Sequence, residues 1–187
     1  MKCKIRIGFF AIFLFLIIAI TSAEYFFSLI LSVYIHELGH ILAAKIRKIK
    51  LSEMKLDIFG AVLYTQKHDF SYIDEILLCL GGPVANFISV MFCISAGYKG
   101  FFYLSSLAQG ILNLLPVYGF DGGRILCALS AMFLGTKISD MICKITSFVI
   151  LLFMWWISVY LLLRIGATLN LFVFSMIMFS KIFISKK

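Results

Sequence analysis

The sequence predicts an all-α polytopic membrane protein that forms a single domain over residues 1–187, with about six transmembrane helices and a short β-hairpin or re-entrant segment after the second helix. Hydrophobic residues make up 63% of the chain and charged residues only 14%. The mean hydropathy is +1.06, whereas soluble domains are about half apolar and about a quarter charged. Apolar runs long enough to cross a bilayer cover approximately residues 7–23, 25–46, 76–97, 101–115 with a continuation over 125–134, 145–163, and 165–180.

The distribution of Lys and Arg predicts the topology. Three basic residues precede the first span, six follow the second span, three flank the segment after the fourth span (Arg124, Lys137 and Lys144) and three lie in the C-terminal tail. With six spans, all fifteen lie on one face of the membrane. Only Lys99 and Arg164 fall on the other face. Because Lys and Arg concentrate on the cytoplasmic side of membranes, both termini are predicted to be cytoplasmic. The net charge of +8 has the same explanation, and no nucleic-acid partner is expected.

The first apolar run, from Ile7 to Ala23, has two interpretations. Thr21-Ser22-Ala23 resembles the small-residue cleavage site of a signal peptide. Glu24 and a second span follow at once, which favours a retained transmembrane helix.

The cysteines predict neither a disulfide framework nor a zinc site. There are five, an odd number, and none form a Cys-x-x-Cys pair. We expect them to be reduced and packed among apolar residues.

The second span carries His36-Glu37-Leu38-Gly39-His40. Residues four apart share one helix face, so both imidazoles can bind one metal ion, and Glu37 can take a proton from a water molecule there. Such polar groups are costly in hydrocarbon, which favours a functional site over a polar cluster that only joins helices. His36 lies about 15 Å along a helix from Ile46, at the basic end of the span. A metal there would need a water-accessible cavity in the cytoplasmic half of the membrane.

Residues 47–72 form the only sizeable polar segment of the sequence. Apolar residues alternate imperfectly with polar ones up to Ile58, and Gly60 precedes a second apolar stretch, a pattern typical of a β-hairpin. An irregular basic loop is the alternative. A hairpin could present an open edge near Leu56 that captures an extended peptide by strand addition. His68 is a lone histidine in this segment and is expected to be solvated.

The third span contains Gly81-Gly82-Pro83 followed by Asn86. The proline predicts a kink, and the paired glycines predict a close backbone approach. Asn86 needs a buried partner. It serves either to hold helices together or to position the site or the substrate.

The fourth span breaks near Asn113 and resumes after Arg124. Gly122-Gly123 within the break allows the backbone to pass close to another element. Asp121 is either the capping residue of an interfacial turn or a metal ligand. The six-span topology places it at the same membrane depth as the two histidines of the second span, which favours the ligand.

These motifs together resemble those of the site-2 protease family of intramembrane zinc metalloproteases. The resemblance covers approximately residues 34–126. The motifs are most similar to those of the sporulation-type subgroup, the relatives of stage IV sporulation protein FB. The matching motifs are His36-Glu37-Leu38-Gly39-His40, Gly82-Pro83 with Asn86, Asn113-Leu114-Leu115-Pro116 and Asp121-Gly122-Gly123-Arg124.

The resemblance implies a set of site residues and a chemistry. His36, His40 and Asp121 would bind one Zn²⁺ per chain and leave the fourth position open. Glu37 would act as general base and acid, and Asn113 would orient the substrate backbone or stabilise the oxyanion.

The resemblance also implies a substrate and a location. The substrate would be a membrane-tethered protein that is cut in or near a transmembrane segment. The protein would lie in the lipid bilayer of a bacterial cytoplasmic membrane, where it could also bind a regulatory membrane partner. A membrane metal-ion transporter and a non-catalytic membrane scaffold are the alternatives. The concentration of polar residues in two motifs argues against the transporter, and the intact Glu37 argues against the scaffold.

Overall fold

The computed structural model describes residues 4–7, 23–49, 51–57, 60–65 and 71–165. Nearly all of the predicted first span (7–23) and sixth span (165–180) lies outside these residues, as does His68. The described elements are strand β1 (Lys4–Ile7), helix α1 (Ala23–Ile46), strands β2 (Leu51–Asp57) and β3 (Gly60–Thr65), and helices α2 (Tyr72–Ser95), α3 (Phe101–Asn113), α4 (Asp121–Leu134) and α5 (Thr136–Ile165). The chain divides into two compact units, Met1–Leu115 and Pro116–Lys187, and one domain over 1–187 stays a prediction.

Three of the described helices are long and apolar enough to cross a membrane, over Tyr25–Ile46, Tyr72–Ser95 and Thr136–Leu161. They correspond to the predicted second, third and fifth spans. Helix α3 has 13 residues and α4 has 14, which is only about 20 Å each at the helical rise. The predicted fourth span therefore consists of two shorter helices separated by residues 114–120. Six spans remain a prediction.

Helix α2 begins at Tyr72, earlier than the predicted third span, because polar residues form its first turn. The Ser71 Oγ accepts the Ile73 N–H at 3.3 Å, and the Asp74 carboxylate accepts the Ser71 N–H at 3.4 Å. This capping box satisfies N–H groups that have no partner within the helix. Asp74 also forms an ion pair with Arg47, 2.7 Å away, which joins the start of α2 to the end of α1.

Helices α1 and α2 are antiparallel and pack closely through small residues. A Cβ atom at Gly81 would lie 2.5 Å from the Gly39 carbonyl oxygen and 2.8 Å from the Ala43 Cβ, and one at Gly39 would lie 2.7 Å from the Ala85 Cβ. Glycine at both positions therefore sets the distance between the helices, a common mode of helix association in membranes. The close approach predicted at the paired glycines is confirmed, while α2 continues through Pro83 and the kink stays a prediction.

Helices α1 and α3 run in the same direction. Three hydrogen bonds join residues of the two helices, and each pair is separated by 77 positions in the sequence. A constant separation along successive turns requires parallel helices in a fixed register.

Strand β2 lies at the centre of a three-stranded sheet with the order β1-β2-β3. Leu56 is opposite Ile7 of the parallel strand β1 and opposite Ala61 of the antiparallel strand β3. The prediction of an open edge at Leu56 is therefore wrong, because both sides of β2 are paired. Ile7, predicted to begin the first span, ends β1 instead because this segment pairs with β2. Residues 58–59 between β2 and β3 lie outside the described residues, and the hairpin stays a prediction.

In the second unit, α4 reverses into α5 at Gly135, whose φ of 81° favours glycine. Cys127 of α4 is disulfide-bonded to Cys143 of α5, with Cα atoms 5.9 Å apart. The expectation that every cysteine is reduced is wrong for this pair. The two residues are 16 positions apart, and it is the reversal at Gly135 that brings their helices side by side.

Candidate metal centre

His36 and His40 lie one turn apart on α1, and both side chains are buried. Their Nε2 atoms are 3.2 Å apart. Two nitrogen ligands about 2.0–2.1 Å from a tetrahedral zinc ion lie about 3.3 Å from each other. The two imidazoles are therefore spaced as ligands of one zinc ion.

Helix α2 holds the other nitrogen of each ring. The His40 Nδ1–H donates to the Leu78 carbonyl oxygen at 2.8 Å, and the Asn86 amide lies 3.2 Å from the His36 Nδ1. An amide can present its nitrogen or, after a half-turn, its oxygen. Metal-binding histidines use the second ring nitrogen in this way, because the hydrogen bond sets the ring orientation and the tautomer.

Gly82 leaves space beside the two Nε2 atoms. A Cβ atom at this position would lie 2.5 Å from the His40 Nε2 and 2.6 Å from the His36 Nε2. Any side chain here would occupy the volume beside both nitrogens. The residues present therefore fit a bound cation: two imidazoles with suitable spacing, oriented rings and a cradle kept open by glycine.

Glu37 and Asn113 are the predicted catalytic residues. Glu37 follows His36 on α1 and is 7% exposed, so its side chain lies in the interior. Asn113 is the last residue of α3, and its amide Nδ2 lies 3.3 Å from the His36 Nε2. Asn113 thus lies on the side of His36 that faces the Gly82 cradle, although 77 residues separate the two in sequence.

In the second unit, Asp121 is the first residue of α4 and is buried. The helix resumes there rather than at residue 125, and a carboxylate in the first turn interacts favourably with the helix dipole. A Cβ atom at Gly123 would lie 2.6 Å from the Val117 carbonyl carbon, so the close contact here is with the loop just before α4, and a close approach to another element stays a prediction. The role of Asp121 as third ligand stays a prediction.

Sequence reasoning missed or left open several contacts of the histidines. The Leu78 contact uses a backbone carbonyl, which every residue has, so the sequence does not indicate it. Asn86 had two interpretations, and its contact with His36 favours the positioning role. Ser32 and Gln109, one turn before His36 and Asn113, are hydrogen-bonded to each other at 2.7 Å. Polar residues four positions before a motif in an apolar span were the signal that could have identified this pair.

Comparison with known proteins agrees with these features. The sequence profile of peptidase family M50 matches residues 24–100 and 94–157. A zinc metalloprotease from Methanocaldococcus jannaschii is 34% identical over 146 residues, in an alignment that covers 70% of this chain and 42% of the relative. The chain thus spans less than half the length of that curated relative. A solved site-2 protease from the same organism has a similar fold, with a TM-score of 0.68 and 23% identity over 100% of this chain and 93% of that one. Because the family profile matches well over half of its residues, the chain belongs to peptidase family M50.

Proposed function

We propose that the protein is an intramembrane zinc metalloprotease that hydrolyses a peptide bond in or near a transmembrane segment of a membrane-tethered protein, as in regulated intramembrane proteolysis. The observation that carries the proposal is the pair of Nε2 atoms 3.2 Å apart beside a cradle kept open by Gly82. Membership of peptidase family M50 and the glutamate adjacent to His36 support peptide hydrolysis over metal transport or a scaffold role.

The proposed ligands are His36, His40 and Asp121, holding one zinc ion per chain. Asp121 is the carboxylate of the motif that resembles the family, and its burial is unfavourable for a carboxylate unless the charge is compensated. When bound, zinc supplies Lewis acidity that polarises a carbonyl group and makes water nucleophilic near neutral pH.

Two further residues act on the substrate and on the proton. Glu37 takes the proton of the attacking water and passes it to the leaving amine. The carboxylate is effective here because the apolar surroundings strengthen its electrostatic interactions. Asn113 donates its amide N–H to the substrate carbonyl oxygen, stabilising the charge that develops on it.

The proposed setting is a bacterial cytoplasmic membrane crossed six times, with both termini in the cytoplasm and a role of the sporulation type with a regulatory membrane partner. The Arg47–Asp74 ion pair lies beyond the apolar part of α1 and is compatible with the cytoplasmic surface. A substrate helix satisfies its own backbone groups and has to unwind before hydrolysis. Among the described residues, β3 is an outer strand paired only to β2, so it offers the unwound segment a strand to pair with.

The ligand set predicts a specific zinc stoichiometry. Purified wild-type protein should contain about one zinc ion per chain, measured by plasma mass spectrometry, and Asp121→Ala and His40→Ala should each lose it because three ligands are needed for tight binding. Asp140→Ala is the matched control, since Asp140 is an exposed aspartate of the same unit. Full zinc content in Asp121→Ala would exclude this residue as a ligand.

The cradle predicts that Gly82→Ala abolishes zinc binding without changing any ligand. The added methyl group would lie within 2.7 Å of the His36 and His40 rings, in the volume that a metal needs. Gly110→Ala adds the same methyl group 3.2 Å from the Phe87 ring and should keep its zinc. Equal zinc contents in the two variants would show that the cradle is not the metal position.

The role of Glu37 predicts that Glu37→Gln keeps zinc but loses cleavage of a membrane-embedded substrate by a factor of about 100 or more, the usual contribution of general acid–base catalysis. Cleavage is measured by gel analysis after reconstitution in liposomes. Glu75→Gln, the same change in the first turn of α2, should be neutral. A transporter would instead move zinc across the liposome membrane without cleaving protein, and a scaffold would do neither.

The sheet predicts that substrate cleavage can be lost while zinc binding is kept. Leu56→Pro removes a backbone N–H from the central strand, so it should impair cleavage while the zinc content stays normal. Leu56→Ala keeps the N–H and should retain most of the activity. Unchanged cleavage in the proline variant would remove the sheet from substrate binding.

A further inference from the structure

The apolar middle of α1 contains a polar contact that the proposed chemistry does not use. Ser32 is completely buried, and its Oγ–H donates to the Gln109 Oε1 of α3 at 2.7 Å. A fully buried serine in an apolar helix loses the hydrogen bonds of water, and Ser32 recovers one from Gln109. The pair therefore selects one arrangement of the two helices, whereas purely apolar side chains would tolerate several.

The pair lies about one helical turn before the predicted catalytic contact on both helices. Ser32 precedes His36 by four residues, Gln109 precedes Asn113 by four residues, and both pairs are separated by 77 positions. One turn earlier again, Ser105 Oγ lies 3.5 Å from the Ser28 carbonyl oxygen with the same separation. Because the helices are parallel, a rotation or a slip of α3 that broke the Ser32 contact would move the Asn113 amide away from His36.

We infer that Ser32 and Gln109 are positioning residues, which act through Asn113 by fixing the rotation and register of α3 against α1. The inference rests on the proposed function, in which the Asn113 amide contacts the substrate. Its physical basis is the sensitivity of catalysis to geometry, since a displacement of about 1 Å can reduce the rate about 100-fold. A single hydrogen bond between membrane helices adds only modestly to stability, so removing it should disturb the site more than the fold.

Ser106, on the same helix as Gln109, provides an internal comparison with Ser32. It is as deeply buried as Ser32, but its Oγ has no hydrogen-bond partner among the described residues. Ser32→Ala and Ser106→Ala therefore remove the same hydroxyl group from equally buried positions, and only the first breaks a contact between α1 and α3.

The decisive experiment combines these variants with Asn113→Ala. Ser32→Ala should lower kcat about 10-fold with KM, zinc content and thermal stability unchanged. In the Asn113→Ala background it should lower kcat less than 2-fold further, because residues that act through one group are not additive. Ser106→Ala should stay within about 2-fold of its parent in both backgrounds. An equal loss from Ser32→Ala in both backgrounds, or a loss of zinc, would overturn the inference.

A second readout does not require proteolysis. The visible absorption spectrum of the Co²⁺-substituted protein reports the groups around the metal, so Ser32→Ala should shift it in the same direction as Asn113→Ala, while Ser106→Ala leaves it as in the wild type. A wild-type spectrum in Ser32→Ala, where Asn113→Ala changes it, would overturn the positioning role. Wild-type protein that binds Co²⁺ and cleaves nothing would instead refute the proposed function. The spectra would still show whether Ser32 and Gln109 position Asn113.

Discussion

The candidate metal centre depends on how two imidazoles satisfy four ring nitrogens in an apolar interior. A buried nitrogen without a partner is costly, and α1 alone cannot supply partners for all of them. Helix α2 provides them on one side, through the Leu78 carbonyl and the Asn86 amide. Both Nε2 atoms then point at each other across 3.2 Å, an arrangement suited to a shared proton or a shared cation.

Asn86 suits this position because an amide can donate or accept. When the His36 Nε2–H donates to the His40 Nε2, the His36 Nδ1 is an acceptor and the Asn86 nitrogen faces it. When the His36 Nε2 binds a cation, the proton resides on Nδ1 and the Asn86 oxygen can accept it. One side chain can therefore pair with either neutral tautomer of His36, which a leucine could not do. Leu78, Gly82 and Asn86 are four residues apart in succession, so α2 presents a carbonyl, an open space and an amide on one face.

Contacts between side chains of one helix could be predicted from the sequence, whereas contacts that depend on the register between elements could not. The pairing of His36 with His40 follows from helical periodicity, and the glycines of α2 were expected to allow close approach. The Leu78 carbonyl could not be predicted, because every residue has one and only the packing selects it. The pairing of residues 4–7 with β2 was missed for a related reason: the basic residues of this segment indicated topology, whereas strand pairing depends on backbone groups far away in sequence. The same holds for the Cys127–Cys143 bond, which depends on a turn between two helices.

The position of the site along α1 follows from the geometry of a row of residues spaced four apart. Ser28, Ser32, His36 and His40 are each four positions apart, and such a row turns about 40° around the helix at each step because 3.6 residues make one turn. The first two members contact α3 and the last contacts α2. His36 lies where the row turns from α3 towards α2, and it has contacts with both, Asn86 on α2 and Asn113 on α3. A parallel helix on one side and an antiparallel helix on the other thus converge at one imidazole. This convergence explains how a largely apolar chain can place two amides around the same ring.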